Sequence, residues 1–488
     1  MIPNVNIVKQ AGAADAELEV PLAIDLDGTL IQTDSLIESL LVLFKQNPLP
    51  ACAIPIWLAR GKACLKREVA RRVTLDVSSL PYHMELLNYL RDQHHANRPL
   101  VLATGADAHI ARQIAGYLQI FDQVMASDGQ TNLSGAAKKD RLTAEFGNGG
   151  FDYVGNSRKD VSVWRAARHA MMVGSRPHAA DARRRLTNLD RVFKVEAADW
   201  RQWLRPLRLY QWLKNVLIFV PLLAAHQFYD IGLLTSACLA FVSFGLCASS
   251  VYILNDLLDL ADDRRHPRKR RRVFASGRLP LAAGLGMIPV LLALSIATAL
   301  ALPGAFLIVL GIYYALTLAY SLRLKRIVIL DVIILAALFT VRMLAGSAAV
   351  AIWPTAWLLA LSMFMFMSLA LVKRYAELVT MRIEHGLSAR ARSYEASDAE
   401  LLAAMGVASA FVAVLVLVLY ITSGPAHLHY GRQQVIWLAC PVLLFWLCYI
   451  WLTAHRGAMH DDPLVFALRD RGSRFALGLL AVIMILAI

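Results

Sequence analysis

Residues 255–272 read NDLLDLADDRRHPRKRRR and follow directly on an apolar run. Four carboxylates, Asp256, Asp259, Asp262 and Asp263, come at near-helical spacing and give way to a basic tract. At about 100° per residue, Asp256, Asp259 and Asp263 project from one face of a helix, with Asn255 one turn before Asp259. Like charges stacked in this way repel, which makes sense if a cation sits among them. Hard oxygen ligands suit Mg²⁺, which usually takes its remaining ligands from water or a substrate's phosphates. The adjacent Arg and Lys side chains would hold the same anion. The plainer alternative is a solvated charge cluster where a helix leaves a bilayer.

The chain around this stretch is too apolar for an ordinary soluble enzyme: 57% of its 488 residues are hydrophobic. The apolarity is uneven. Residues 1–200 have globular composition, whereas 213–488 carry nine apolar runs long enough to span hydrocarbon, at about 213–229, 232–254, 283–302, 304–322, 327–349, 354–372, 402–422, 434–453 and 474–488. Joined in order, they sort the loops into two sets. The set holding 201–214, 255–282, 321–326, 373–400 and 453–474 contains 24 Lys and Arg, and the other contains only Arg432. The positive-inside rule then places the basic set, the carboxylate stretch and the N-terminal segment in the cytoplasm of a bacterial-type inner membrane protein. The net charge of +14 follows largely from this asymmetry and implies no nucleic-acid partner. The six cysteines form no CxxC pair, and the N-terminus lacks the basic-then-apolar pattern of a cleaved signal. Residues 175–200 read as a polar connector between an N-terminal domain, 1–174, and a membrane domain, 201–488.

The N-terminal domain opens with VPLAIDLDGTLIQTDS, a buried strand over Val20 to Ile24 running into two carboxylates and a Gly-Thr turn. Leu100 to Ala103 reads as a second strand ending at Thr104-Gly105, SGAAKKDRL supplies Lys138, and DYVGNSRKD supplies a strand followed by Asn156 and Asp160. In its DxDGT motif and the order of these segments the domain resembles the haloacid dehalogenase (HAD) superfamily of phosphohydrolases. The resemblance implies a Rossmann-like α/β fold with a small helical cap over about 34–95. It also implies Asp25 as nucleophile and Asp27 as general acid and base. Mg²⁺ would be held by Asp25, Asp27 and Asp160, and the phosphoryl oxygens by Thr104 and Lys138. One departure is that Gly155 precedes Asn156, where the family commonly has Asp.

Further basic segments accompany the membrane runs. In LRLYQWLKNVLIF, Arg208, Gln211, Lys214 and Asn215 share roughly one helix face. In YSLRLKRIVILDVIILAALFTVRMLAG, which includes Lys325, Asp331 and Arg342 are about 16 Å apart along a helix axis and cannot neutralise each other. Ionisable groups inside a span are costly and usually face a polar cavity, so this pair marks one lining of a site. SLALVKRYAELVTMRIEHGLSARARSY adds Lys373, Arg374, Glu377 and Arg392 at the end of another helix.

Over about 201–488 these segments resemble the UbiA superfamily of intramembrane prenyltransferases, with NDxxDxxxD at Asn255, Asp256, Asp259 and Asp263 the most specific element. The resemblance implies an all-α bundle of nine transmembrane helices. It is finer for the branch containing decaprenyl-phosphate phosphoribosyltransferase: RxxQWxKN at Arg208 to Asn215, HPxKxxR at His266 to Arg272, YSxxLKR at Tyr320 to Arg326, Asp331, Arg342, and KRxxE at Lys373 to Glu377. Residues 373–400 lack the second DxxxD motif that aromatic-prenylating relatives generally carry, and are basic instead. The branch implies Mg²⁺-dependent transfer from phosphoribosyl diphosphate to a polyprenyl phosphate in membrane lipid. Asn255, Asp256, Asp259 and Asp263 would hold the metal, with Asp256 and Asp259 catalytic. Lys269, Arg272 and Lys325 are candidates for the donor's phosphates, and Lys214, Arg342 and Lys373 for the lipid phosphate or the ribose 5-phosphate. The HAD-like domain would then remove the ribose 5-phosphate. Two other readings stand beside this one: prenyl transfer from a prenyl diphosphate to a small acceptor, and a transporter whose polar cluster lines a path.

Overall fold

The computed structural model of the chain describes residues 19–196, 198–385, 390–391, 394–423, 432–459 and 462–487. The chain forms two compact units, one of Met1–Pro206 with Ile253–Met287 and the other of Leu207–Tyr252 with Ile288–Ile488.

The first unit is built on a six-stranded sheet. In chain order its elements are β1 (Leu22–Ile24), α1 (Ser35–Gln46), α2 (Lys62–Ala70), α3 (Met84–His95), β2 (Leu100–Asp107), α4 (Ala108–Leu118), β3 (Gln123–Ser127), α5 (Ala136–Phe146), β4 (Asp152–Gly155), α6 (Val161–Ala166), β5 (Ala170–Gly174), α7 (Arg176–Arg185) and β6 (Leu189–Lys194). Strand order is β3-β2-β1-β4-β5-β6 and every ladder is parallel. The central strand is apolar at every position because both of its faces are covered. Leu22 and Ile24 join the core on one face, while Ala23 joins Val101, Ala103 and Tyr153 on the other. Ile24 lies opposite Leu102 and Val154, so the ends of β1, β2 and β4 come level. This is the doubly wound order, whose ligands lie beyond the carboxyl ends of the strands where the winding reverses.

The sequence-based boundary at 174 is too early. Residues 175–200, expected as a connector, contain α7 and β6, and β6 pairs along its length with β5. The stretch reads as polar because β6 is an edge strand with only Phe193 buried, and edge strands are commonly charged.

Seven helices among the described residues are long and apolar enough to cross a membrane: Ile231–Leu258, Leu281–Ala299, Gly304–Leu322, Leu330–Val350, Ala356–Met381, Ala396–Thr422 and Gln434–His455. They match the second to eighth of the nine expected runs. The first run is instead a 3₁₀ helix, Leu209–Phe219, continued by a short α-helix, Val220–Ala224. The last is a 17-residue helix, Arg471–Ala487. Close packing within the second unit rests on small residues. At Gly346 a Cβ would lie 2.0 Å from the carbonyl oxygen of Ile218, so the two backbones touch.

Candidate functional site

In the α/β unit the residues expected at a phosphoryl site lie near the carboxyl ends of β1, β2 and β4. Lys138, buried on α5, donates to Asp25 Oδ1 at 2.7 Å and to the Tyr153 hydroxyl at 2.9 Å. Burial raises the Asp25 pKa, with the Lys138 ammonium pulling against it. Asp27 Oδ1 accepts the amide of Ser35 at 2.8 Å, and burial together with the nearby Asp34 lifts the Asp27 pKa to about 7. Thr104 is buried, its hydroxyl accepting the Ala106 amide at 3.0 Å. Gly28 adopts φ +73°, and a Cβ there would lie 2.1 Å from Asn156 Nδ2, which packs the Asn156 amide directly on the DxDGT turn.

Asp160, expected as a metal ligand, has hydrogen bonds on both oxygens. Its Oδ1 accepts the Tyr153 hydroxyl at 2.8 Å, and its Oδ2 accepts the Ser157 amide at 2.9 Å and hydroxyl at 2.8 Å. Oδ2 closes the turn after β4, while Oδ1 faces the site, 3.8 Å from the Lys138 ammonium that also binds Asp25, and Asn156 packs on the motif turn. Sequence reasoning also passed over Lys66 on α2, which donates to the Gly105 carbonyl and to Asn132 Oδ1 at 2.8 Å. Its burial lowers its pKa. Its one sequence signal is a place in the expected cap.

The carboxylate motif groups by its contacts with the α/β unit. It is not one continuous helix. Helix α8 (Ile231–Leu258) carries Asn255 and Asp256 and stops, and Asp259, at φ −102°, ψ 19°, caps a new helix, α9 (Leu260–Arg265). Asp256 Oδ1 and Asp263 Oδ2 nonetheless converge on one cation, Arg272 Nη1, at 2.9 and 2.6 Å. Burial raises the Asp263 pKa, opposed by the charges of Arg272 and then Lys269. Asp259 turns elsewhere: Lys45 Nζ donates to Asp259 Oδ1 and Asp262 Oδ2, each at 2.9 Å. Among the described residues no three His, Cys, Asp or Glu side chains stand ready as a metal site. Two positively charged groups occupy the places between carboxylates, so a divalent cation held by these oxygens would have to displace them. Arg272, expected at a donor phosphate, neutralises these carboxylates in the present arrangement.

The membrane unit continues with α10 (Leu281–Ala299), α11 (Gly304–Leu322), α12 (Leu330–Val350), α13 (Ala356–His385), α14 (Ala399–Thr422), α15 (Ala439–His455), α16 (Pro463–Arg469) and α17 (Arg471–Ala487). Asp331 and Arg342 do not form one lining. Arg374 Nε donates to Asp331 Oδ2 at 2.6 Å and the Tyr394 hydroxyl to Oδ1 at 2.6 Å, while Arg374 also meets Glu377 at 2.5 Å. Asp331 and Arg374 are buried, and their pair ties α12 to α13. The Tyr394 hydroxyl also accepts the amide of Ile329, a β-branched residue held at φ +66° just before α12. Arg342 Nε donates to Asn215 Oδ1 at 3.1 Å and Nη2 to the Tyr313 hydroxyl at 3.3 Å, its guanidinium ringed by Phe244, Tyr313 and Phe339.

Lys214 and Lys373 do come together, on a residue that the sequence reading missed. Asp462 Oδ2 accepts Lys214 at 2.8 Å and Lys373 at 3.3 Å. Burial alone would raise the Asp462 pKa, but the two ammonium groups hold it well below the usual carboxylate range. Asp462 is the N-cap of α16, accepting the Leu464 amide, and Asp-Pro before an apolar run was its available signal. Two turns of α16 carry Val465, Leu468 and Arg469 into an apolar groove of about 530 Å³, lined also by Tyr210, Leu213 and Val216. Arg208 has φ +49° and lies over the Tyr252 ring. Lys325 lies in a 3₁₀ turn, Leu324–Arg326. Arg392 lies outside the described residues.

The description "UbiA prenyltransferase family" matches residues 216–469, just over half of the chain. The protein belongs to the UbiA prenyltransferase family. Within reach of this UbiA-family chain are three informative relatives. An uncharacterized protein, y4nM, of Sinorhizobium fredii is 37% identical over 472 residues, 96% of this chain and 91% of that one. Nodulation protein NoeC of Azorhizobium caulinodans is 37% identical over 271 residues, 54% of this chain and 86% of NoeC. Decaprenyl-phosphate phosphoribosyltransferase of Corynebacterium glutamicum is 35% identical over 214 residues, 41% of this chain and 64% of the relative. The UbiA-family region thus includes the carboxylate motif, Arg342, Lys373 and Asp462, while the α/β sheet lies outside it.

Proposed function

We propose that this UbiA-family protein transfers 5-phosphoribose from 5-phosphoribosyl 1-diphosphate to a polyprenyl phosphate, and that its α/β domain is a HAD-type phosphohydrolase acting on the ribose 5-phosphate of the product. The observation that carries the reading is the cation surplus at Asp462: two lysines share one carboxylate at the head of a helix whose body lines an apolar groove. A phosphate attached to a hydrocarbon tail matches that pairing of charge and grease. Similarity to decaprenyl-phosphate phosphoribosyltransferase supports the same donor and acceptor.

The acceptor phosphate oxygen forms a bond to ribose C1 as the bond from C1 to the diphosphate breaks. The acceptor is already anionic, so no proton has to be removed. Lys214 and Lys373 hold it, and Arg342, Lys269, Arg272 and Lys325 are available to the phosphates of the donor. Asn255, Asp256, Asp259 and Asp263 would hold Mg²⁺, which when bound supplies positive charge to the departing diphosphate. In the α/β domain Asp25 attacks phosphorus while Asp27 protonates the leaving ester oxygen. Asp27 then takes a proton from the water that hydrolyses the aspartyl-phosphate. A carboxyl that titrates near 7 serves both steps. Asp25, Asp27 and Asn156 would hold that domain's Mg²⁺. We further place the α/β domain in the cytoplasm and count nine membrane segments. Leu209–Ala224 supplies one of these, because a largely 3₁₀ stretch rises about 2 Å per residue and reaches about 30 Å.

The test follows labelled ribose phosphate into extractable lipid, with and without Mg²⁺, in wild type and Asp256→Ala. Transfer should require Mg²⁺ and fall about 10²- to 10³-fold in the variant. Transfer of label from a prenyl diphosphate instead would favour ordinary prenyl transfer. Phosphate release from the phosphorylated lipid product, absent in Asp25→Asn, tests the α/β domain.

A further inference from the structure

Helix α1 reaches two catalytic motifs with its two ends. Over 12 residues, about 18 Å, its first amide binds Asp27 and its last turn carries Lys45, whose ammonium bridges Asp259 and Asp262. Between them Glu38 meets Arg264 of α9, with Nη2 at 2.5 Å and Nη1 at 3.3 Å, and Arg264 Nε also binds the Ala275 carbonyl at 3.0 Å. These contacts differ in kind. The Glu38 and Arg264 side chains are 5% and 6% exposed, whereas Lys45 and Asp259 are 27% and 28% exposed and Asp262 is 67% exposed.

We propose that Lys45 is a positioning residue for the NDxxDxxxD motif: a resident cation, supplied by the α/β domain, that holds Asp259 beside Asp262 until a divalent cation takes Asp259 over. The inference rests on the reading of that motif as a divalent-cation site. A buried pair such as Glu38–Arg264 is expensive to break, so it keeps α1 docked on α9. A half-exposed ammonium between two carboxylates is cheap to release, and its long stem lets it swing into water. Divalent cation and Lys45 therefore compete for one carboxylate. Removing the lysine leaves the acidic group less neutralised, and the affinity of the motif for a divalent cation rises. In this arrangement the α/β domain sets the metal threshold of the transferase, whatever its own hydrolytic activity.

The experiment titrates Mn²⁺, followed by loss of its free-ion paramagnetic resonance signal, into the full-length protein in nanodiscs. An Asp25→Asn background makes the counted ion that of the motif. Lys45→Met should bind Mn²⁺ roughly threefold or more tightly than the parent, and Lys45→Arg, which keeps the charge, should restore the parent affinity. Equal or weaker binding in Lys45→Met overturns the proposal. Hydrogen exchange on the unsubstituted residue gives a second measure: adding Mg²⁺ should speed exchange in the last turn of α1, and unchanged exchange there also overturns it. Asp256→Ala in the same background separates the two levels, because undiminished Mn²⁺ binding in that variant removes the metal-site reading itself.

Discussion

The two units bury charge with opposite surplus. At the strand ends of the α/β unit, Asp25 and Asp160 gather around one ammonium, Lys138, at 2.7 and 3.8 Å, with Asp27 next to Asp25, and acid is in excess. In the membrane unit Lys214 and Lys373 gather around one carboxylate, Asp462, and base is in excess. The membrane unit also holds a balanced set, Asp331 with Arg374 and Tyr394. The difference teaches how to tell scaffold from site. Oxygens whose hydrogen-bonding capacity is filled by the protein stabilise the fold, and groups left with an imbalance await a ligand of the missing sign. An acid surplus suits a metal-bound phosphate, and a base surplus suits a bare one.

The sharpest break of that comparison is at the balanced membrane set. Asp331→Ala leaves Arg374 buried beside a lost partner and should cost about 3–5 kcal/mol. A large fall in the thermal unfolding midpoint in detergent checks it, and a variant with normal stability but lost substrate affinity would move Asp331 from scaffold to site. A smaller effect is expected at the acid-rich set. Gly28→Ala puts a Cβ into Asn156 at φ +73°, which should cost about 1–3 kcal/mol and reduce phosphate release more than lipid transfer. Parallel assays of the two reactions on one preparation would show the split. The smallest is a pH effect in the α/β scaffold. Burial acts to raise the Asp152 pKa, but hydrogen bonds from Arg168 and Arg98 more than offset it, and the pKa is lowered. A depressed folded-state pKa contributes stability above the ordinary value near 4 and loses it as pH falls through the folded value. Denaturant midpoints should therefore drop below about pH 4, and Asp152→Asn should flatten that part of the profile.

What the sequence made legible was local. DxDGT after an apolar strand and NDxxDxxxD after an apolar run are short patterns whose geometry is set by one turn of chain, and both occupy strand or helix ends as expected. What it concealed was partnership at a distance. Lys45 meets Asp259, Glu38 meets Arg264, and Lys214 meets Asp462 across more than 200 residues, with no periodicity to announce them. Asp331 reads as sharing one lining with Arg342 because a sequence shows a charge but not the distant partners its oxygens meet. The break between Asp256 and Asp263 was hidden for a related reason: the spacing suits a continuous helix, yet Asp259 leaves helical backbone angles and the pair still meets at Arg272.

Ile329 adds a matter of timing. Its left-handed backbone is unfavourable for a β-branched side chain, and the hydroxyl that steadies its amide belongs to Tyr394, 65 residues later. A ribosome delivers the strained bend and the whole of α12 well before it delivers that hydroxyl. The entrance to this span therefore stays unlatched through the synthesis of the next one, and its final setting is deferred until the loop beyond has emerged.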